Sequence, residues 1–63
     1  MKAPVEEGEE YDVTIESIGA KGDGICKVDE FIIFVPDTEP DQKVKICIKK
    51  VMSRFAFAEK VVD

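Results

Sequence analysis

From Tyr11 to Glu16 apolar and polar residues alternate one for one, with Tyr11, Val13 and Ile15 set against Asp12, Thr14 and Glu16. A period of two marks a half-buried strand, because successive side chains on a strand point to opposite faces. The alternation breaks at Gly19-Ala20-Lys21-Gly22-Asp23-Gly24, where three glycines fall in six positions. Such a run suits positive φ angles or close backbone approach and predicts a turn. Residues 25 to 28 read as a second short strand, Asp29-Glu30 as a two-residue hairpin turn, and Phe31-Ile32-Ile33-Phe34-Val35 as a third strand apolar on both faces.

Pro36-Asp37-Thr38-Glu39-Pro40-Asp41 is a polar loop bracketed by prolines. Beyond it Val44, Ile46 and Ile48 alternate with Lys43, Lys45, Cys47 and Lys49, so a fourth strand is apolar inward and cationic outward. Residues 53 to 62 form a fifth, with Phe55 and Phe57 interleaved with Ala56 and Ala58. Good helix formers in KKVMSRFAFAEKV offer a short helix as the competing reading, and the period-two pattern of Phe55-Ala56-Phe57-Ala58 favours strand. Residues 1 to 8 show no periodicity and are expected to form a flexible acidic leader before a single domain over residues 9 to 63. Five short strands with turns about every ten residues predict an all-β fold, a small antiparallel barrel whose closure removes exposed edges.

The 63 residues leave room for one core, and a chain of this size buries only about 60% of its unfolded surface. The usual staples of so small a fold do not suggest themselves. There is no histidine, and Cys26 and Cys47 do not form a CxxC pair, so a zinc site is not expected. Their spacing permits a bridge; with no secretory signal at the N-terminus, the pair reads as free thiols in a cytoplasmic protein. No apolar run nears the roughly 20 residues that span a bilayer.

The net charge of −5 taken alone argues against a polyanionic partner. Its distribution argues otherwise. Residues 1 to 16 hold six acids against Lys2, leaving the other 47 residues neutral, and within those Lys43, Lys45, Lys49, Lys50 and Arg54 form a basic stretch without an acid. The features suited to chemistry are few: Ser17 and Ser53 lack a histidine to act as base, and Gly22-Asp23-Gly24 lacks the helix that would make it a phosphate cradle. No catalytic residue, cofactor, small-molecule substrate or membrane contact is expected.

Cations with interleaved aromatic residues suit single-stranded nucleic acid, whose phosphates pair with lysine and arginine and whose bases stack on rings. The alternation in residues 55 to 58 leaves two arrangements open. If the alanines fill the interior, Phe55 and Phe57 face solvent beside Arg54; if the rings point inward, they are core. Phe31 and Phe34 lie on opposite faces of one strand, so one of them is outside. Lys45 and Lys49 belong to the outward set and serve either a phosphate backbone or the protection of a sheet edge.

The segments Gly22-Asp23-Gly24-Ile25, Phe31-Ile32-Ile33-Phe34-Val35-Pro36 and Phe55-Ala56-Phe57-Ala58-Glu59 together resemble a TRAM domain, in particular the stand-alone archaeal TRAM proteins, over about residues 11 to 62. The resemblance implies a five-stranded barrel related in shape to OB and cold-shock folds, and an RNA-binding module found alone in archaea or joined to enzymes that methylate or methylthiolate RNA. It implies RNA contacts at Lys21 and Lys27 near the glycine turn and at Phe31, Phe34, Arg54, Phe55 and Phe57, and it favours the outward arrangement of the last two. The chain departs from the family in having Glu30 where many relatives have glycine and in lacking a glycine in the 37 to 41 loop. The expectation is a monomer that binds single-stranded RNA, including segments of tRNA or rRNA, with low sequence specificity, and that acts as an RNA chaperone without ATP. The alternative is a protein-interaction barrel whose aromatic face docks a polypeptide.

Overall fold

A computed structural model describes residues 3–62 of the chain. It contains six strands and, among the described residues, no helix: β1 (Glu10–Thr14), β2 (Ser17–Ile18), β3 (Gly24–Val28), β4 (Phe31–Val35), β5 (Lys43–Val51) and β6 (Phe55–Lys60). They form one sheet in the order β1-β5-β6-β4-β3-β2. The outermost strands, β1 and β2, are two halves of a single bent segment. Its first half pairs with β5, Asp12 opposite Lys45, and its second half pairs with β3, Ser17 opposite Ile25. The chain thus closes the sheet into a barrel by changing partners at Ile15, which is fully buried and whose N–H and C=O bond to Gln42 and Asp41. The five predicted strands become six because this first one is broken in the middle.

All pairs but one among the described strands are antiparallel. β6 folds back from β5 and inserts beside β4 in parallel register, Ile33 opposite Ala56 and Phe34 opposite Phe57. This departs from the all-antiparallel expectation. It follows from the long return through the 36–42 loop and β5, which brings β6 back in the same sense as β4.

The core consists of Val5, Ile15, Cys26, Ile33, Val35, Ile46, Ile48, Ala56 and Ala58. Val5 lies in the segment expected to be a loose leader, yet its side chain is 2% exposed, and the following Gly8 N–H donates to Ile48 C=O at 2.8 Å. Burying a valine contributes roughly 1.5 kcal/mol or more. That ties the leader to the barrel end.

Two turns carry the backbone requirements read from the sequence. Gly22 has φ 89°, a region costly to side chains. Gly24 is needed for contact: a Cβ there would overlap the Thr38 hydroxyl oxygen and sit 3.0 Å from the Val35 carbonyl oxygen. Thr38 cannot easily swing away, because its hydroxyl donates to that same Val35 carbonyl at 2.9 Å. Asp29 and Glu30 have φ 50° and 71°, the signature of a type I′ hairpin turn, which suits Asn-Gly far better than Asp-Glu.

Two substitutions test these assignments by chemical denaturation. Gly24→Ala is expected to lower stability by about 1 to 3 kcal/mol through overpacking. Glu30→Gly is expected to raise it by about 0.5 to 1 kcal/mol through relief of the left-handed backbone. A neutral Gly24→Ala would show that the β3 to loop contact is loose.

Candidate nucleic-acid interface

Strand register fixes which side chains share the outer face. In β6 the interior takes Ala56 and Ala58, 0% and 2% exposed, and Phe57 faces out at 42%. Phe55 lies on the same outer side, half-buried. The outward arrangement of the two phenylalanines is therefore the one adopted. In β4 the inward residues are Phe31, Ile33 and Val35, leaving Ile32 and Phe34 outward. Phe31 packs against the core, and Phe34 stands on the outer face.

Because β4 and β6 are in parallel register, Phe34 and Phe57 stand side by side, with Phe55 one step along. Their rings form a compact trio. Phe34 and Phe55 meet edge to face at 5.7 Å, Phe55 and Phe57 edge to face at 5.4 Å, and Phe34 and Phe57 lie tilted by 32° at 5.9 Å. Edge-to-face contacts, worth about 0.5 to 1.5 kcal/mol each, hold the rings in place while part of each face stays open to solvent.

Extending the register across the sheet gives two rows of outward neighbours. One runs from Ile25 through Phe34 and Phe57 to Lys50, the other from Lys27 through Ile32 to Phe55 and on to Met52. Ile32 and Met52 are 37% and 38% exposed and widen the aromatic patch. Lys27 and Arg54 are exposed at its margin.

Lys50 was not among the residues expected here, since strict alternation after Lys43, Lys45, Cys47 and Lys49 would turn it inward. A bulge between Ile48 and Lys50 lets both Lys49 and Lys50 face out and sets Lys50 opposite Phe57. The signal was present in the apolar spacing: Ile46 and Ile48 are two apart, whereas Ile48 and Val51 are three, the mark of one extra residue.

The remaining lysines fall elsewhere. Lys45 lies opposite Asp12 on β1, roughly 13 Å along the sheet from the Phe57 row at the usual rise per residue. Along residues 43 to 47 β5 is flanked by β1 on one side and β6 on the other, so Lys45 does not guard a sheet edge. Lys49 reaches Glu59 at 3.9 Å, with both side chains more than half exposed, a pair of small energetic worth. Lys21 is exposed at the tip of the glycine turn, where it precedes Asp23, itself at the rim of a groove of about 280 Å³ lined with Phe34, Pro36, Lys49, Phe57, Ala58 and Glu59.

A family model described as the TRAM domain matches residues 4–61. This chain belongs to the TRAM domain family. Among curated relatives, an uncharacterized protein of Methanocaldococcus jannaschii is 53% identical over 92% of this chain and 75% of its own length. A translation initiation factor 2 subunit beta of Methanothrix thermoacetophila is 54% identical over 87% of this chain and 26% of the factor. A ribosomal RNA large subunit methyltransferase E of Haloarcula marismortui is 46% identical over 97% of this chain and 23% of the enzyme. In these two larger proteins the TRAM-like stretch is about a quarter of the whole. The solution structure of a conserved protein of Methanococcus maripaludis superposes with a TM-score of 0.90 at 46% identity, covering 97% of this TRAM chain and 87% of that one.

Both cysteines of this TRAM domain are free. Cys26 is fully buried and its thiol donates to the Ile33 carbonyl at 3.7 Å. Burial, reinforced by the negative charge of Glu16, pushes its pKa up to about 11, which keeps it protonated and a poor nucleophile at neutral pH. Cys47 is half-buried on the outer side of β5, opposite Glu10 on β1 and Glu59 on β6. Titration of the native protein with a thiol-specific disulfide reagent is expected to modify Cys47 alone, with Cys26 reacting only after denaturant is added. Equal rates for the two would show that the barrel opens around β3.

Proposed function

We propose that this TRAM domain is an RNA-binding protein that holds single-stranded segments on the face formed by β3, β4, the β5 bulge and β6. The observation that carries the reading is the phenylalanine trio held out of the core, with Lys27, Lys50 and Arg54 around it. Rings exposed in this way stack with bases of any identity, at about 1 to 3 kcal/mol per base, while the cations pair with phosphates. The rRNA methyltransferase and initiation factor names of the larger relatives are consistent with an RNA partner, rRNA or tRNA segments included.

Captured single strands cannot pair, so binding shifts the paired-to-open equilibrium without ATP. That is the physical content of the RNA chaperone reading. Stacking and phosphate pairing read little sequence, so specificity along the strand is low. The chain binds as a monomer in the cytoplasm, and it performs no chemistry on the RNA.

Lys21, Lys49 and Lys45 have graded roles in this arrangement. Lys21 and Lys49 flank the groove and reach the phosphates entering and leaving it. Lys45, beside Asp12, adds only to the distant field. Phe31 packs against the core and makes no direct RNA contact.

The exposed apolar group of Ile32, Met52 and Phe57 favours a second reading, docking of a polypeptide, and salt separates the two. Neutralising about three phosphates predicts that affinity for a fluorescent single-stranded RNA falls about 20-fold between about 50 and 200 mM salt. Phe57→Ala is expected to weaken binding about tenfold and, by removing one edge-to-face contact, to cost about 0.5 to 1.5 kcal/mol of stability, whereas Phe31→Ala costs about 2 to 3 kcal/mol of stability. Absence of RNA binding at low salt, or binding untouched by Phe57→Ala, would defeat the proposal.

A further inference from the structure

The groove beside the aromatic trio combines an apolar floor with carboxylates at its rim. Its lining is Asp23, Phe34, Pro36, Lys49, Phe57, Ala58 and Glu59. Asp23 lies two residues before Ile25, Pro36 two after Phe34, and Glu59 two after Phe57. The three therefore occupy the row next to the one that holds Phe34 and Phe57.

Acids in such a place repel phosphate and weaken any generic capture of RNA. Glu59 is partly engaged by Lys49 at 3.9 Å. Asp23 is half-buried, and its backbone carbonyl accepts the Gly19 N–H, which anchors the residue, while its carboxylate forms no ion pair among the described residues. An unpaired carboxylate at the edge of a stacking surface is an acceptor open to a donor.

Base edges differ in what they present there. Cytosine, adenine and guanine each carry an exocyclic amino group, and carboxylates accept from it, as Glu and Asp do from cytosine N4 in nucleic-acid grooves. Uracil offers only its N3–H, flanked by two carbonyl oxygens that a carboxylate repels. We infer that Asp23, assisted by Glu59, makes this groove a base site that prefers amino-bearing bases and discriminates against uracil. The inference rests on the RNA-binding reading and adds to it a bias at one position within an otherwise tolerant strand. Phosphates on either side are drawn to Lys21 and Lys49 near the groove and to Lys27, Lys50 and Arg54 beyond the rings.

Cytosine and uracil are similar in size, so comparing them isolates the amino group. Oligo(rC) is expected to bind the intact protein about fivefold more tightly than oligo(rU) of the same length, the lower end of what one good base contact supplies. In Asp23→Asn, and more completely in Asp23→Asn with Glu59→Gln, the amide donates to the uracil O4, and the ratio is expected to fall below about twofold while oligo(rU) gains affinity. Thermal unfolding of each variant checks that the barrel is intact. Equal affinity for the two oligomers, or a cytosine preference that persists in the double variant, overturns the inference and leaves RNA binding standing. Failure to bind either oligomer and a mixed-sequence RNA alike overturns the RNA reading and this inference with it.

Discussion

The fully buried centre of this barrel holds no aromatic ring among the described residues, and the rest of the molecule follows from that limit. The buried positions are filled by isoleucine, valine, cysteine and alanine, with Ala56 and Ala58 at the centre, where β6 passes between β5 and β4. Small residues at the seam let three strands close around a core built from one chain of 63 residues. In a strand, a small inward set fixes what stands outside. With alanines inward, Phe55 and Phe57 have to face solvent, where parallel pairing with β4 brings Phe34 to meet them. The aromatic face is thus a consequence of how the core is filled. A large inward residue at 56 or 58 would remove core space and face together.

The same limit explains the uneven treatment of the four phenylalanines. Phe31, at the barrel end, has room to lean on the core. The other three stand on the outer face and shield one another through edge-to-face contacts at 5.4 and 5.7 Å. Half-burying rings among themselves recovers some apolar burial while fixing their orientation. A surface ordered before its ligand arrives loses less entropy on binding than a mobile one. Stability and readiness to stack come from one arrangement.

How far the sequence disclosed this depends on whether a feature is local. The strands at residues 25 to 28 and 31 to 35, the turn at Asp29-Glu30 and the glycine turn are set by neighbours in the chain and were legible. The break of the first strand was not, because residues 10 to 18 alternate almost without interruption and only partner exchange at Ile15 divides them. Nor was the parallel contact of β4 and β6, which depends on the path of a loop. The burial of Val5 was hidden for a related reason: one apolar residue in an acidic stretch carries no period. Whether Phe55 and Phe57 point in or out stayed undecided by alternation alone, since both choices give a period of two, and core volume decides it.

Charge placement follows the same geometry and explains why the overall balance of −5 says little about this face. β1 carries Glu10 and Asp12 on its outer side, opposite Cys47 and Lys45, so the acids of the leader side meet the near half of β5. The bulge then turns the far half of β5 by one residue and presents Lys50 to Phe57 instead of burying it. Without that extra residue the outward cations would end at Lys49, which is already beside Glu59. A single inserted residue therefore decides whether the aromatic rings border a free cation. Local charge at a stacking surface is what a polyanion meets within a Debye length of about 10 Å, and there Lys27, Lys50 and Arg54 border the rings while Asp23 and Glu59 line the neighbouring groove.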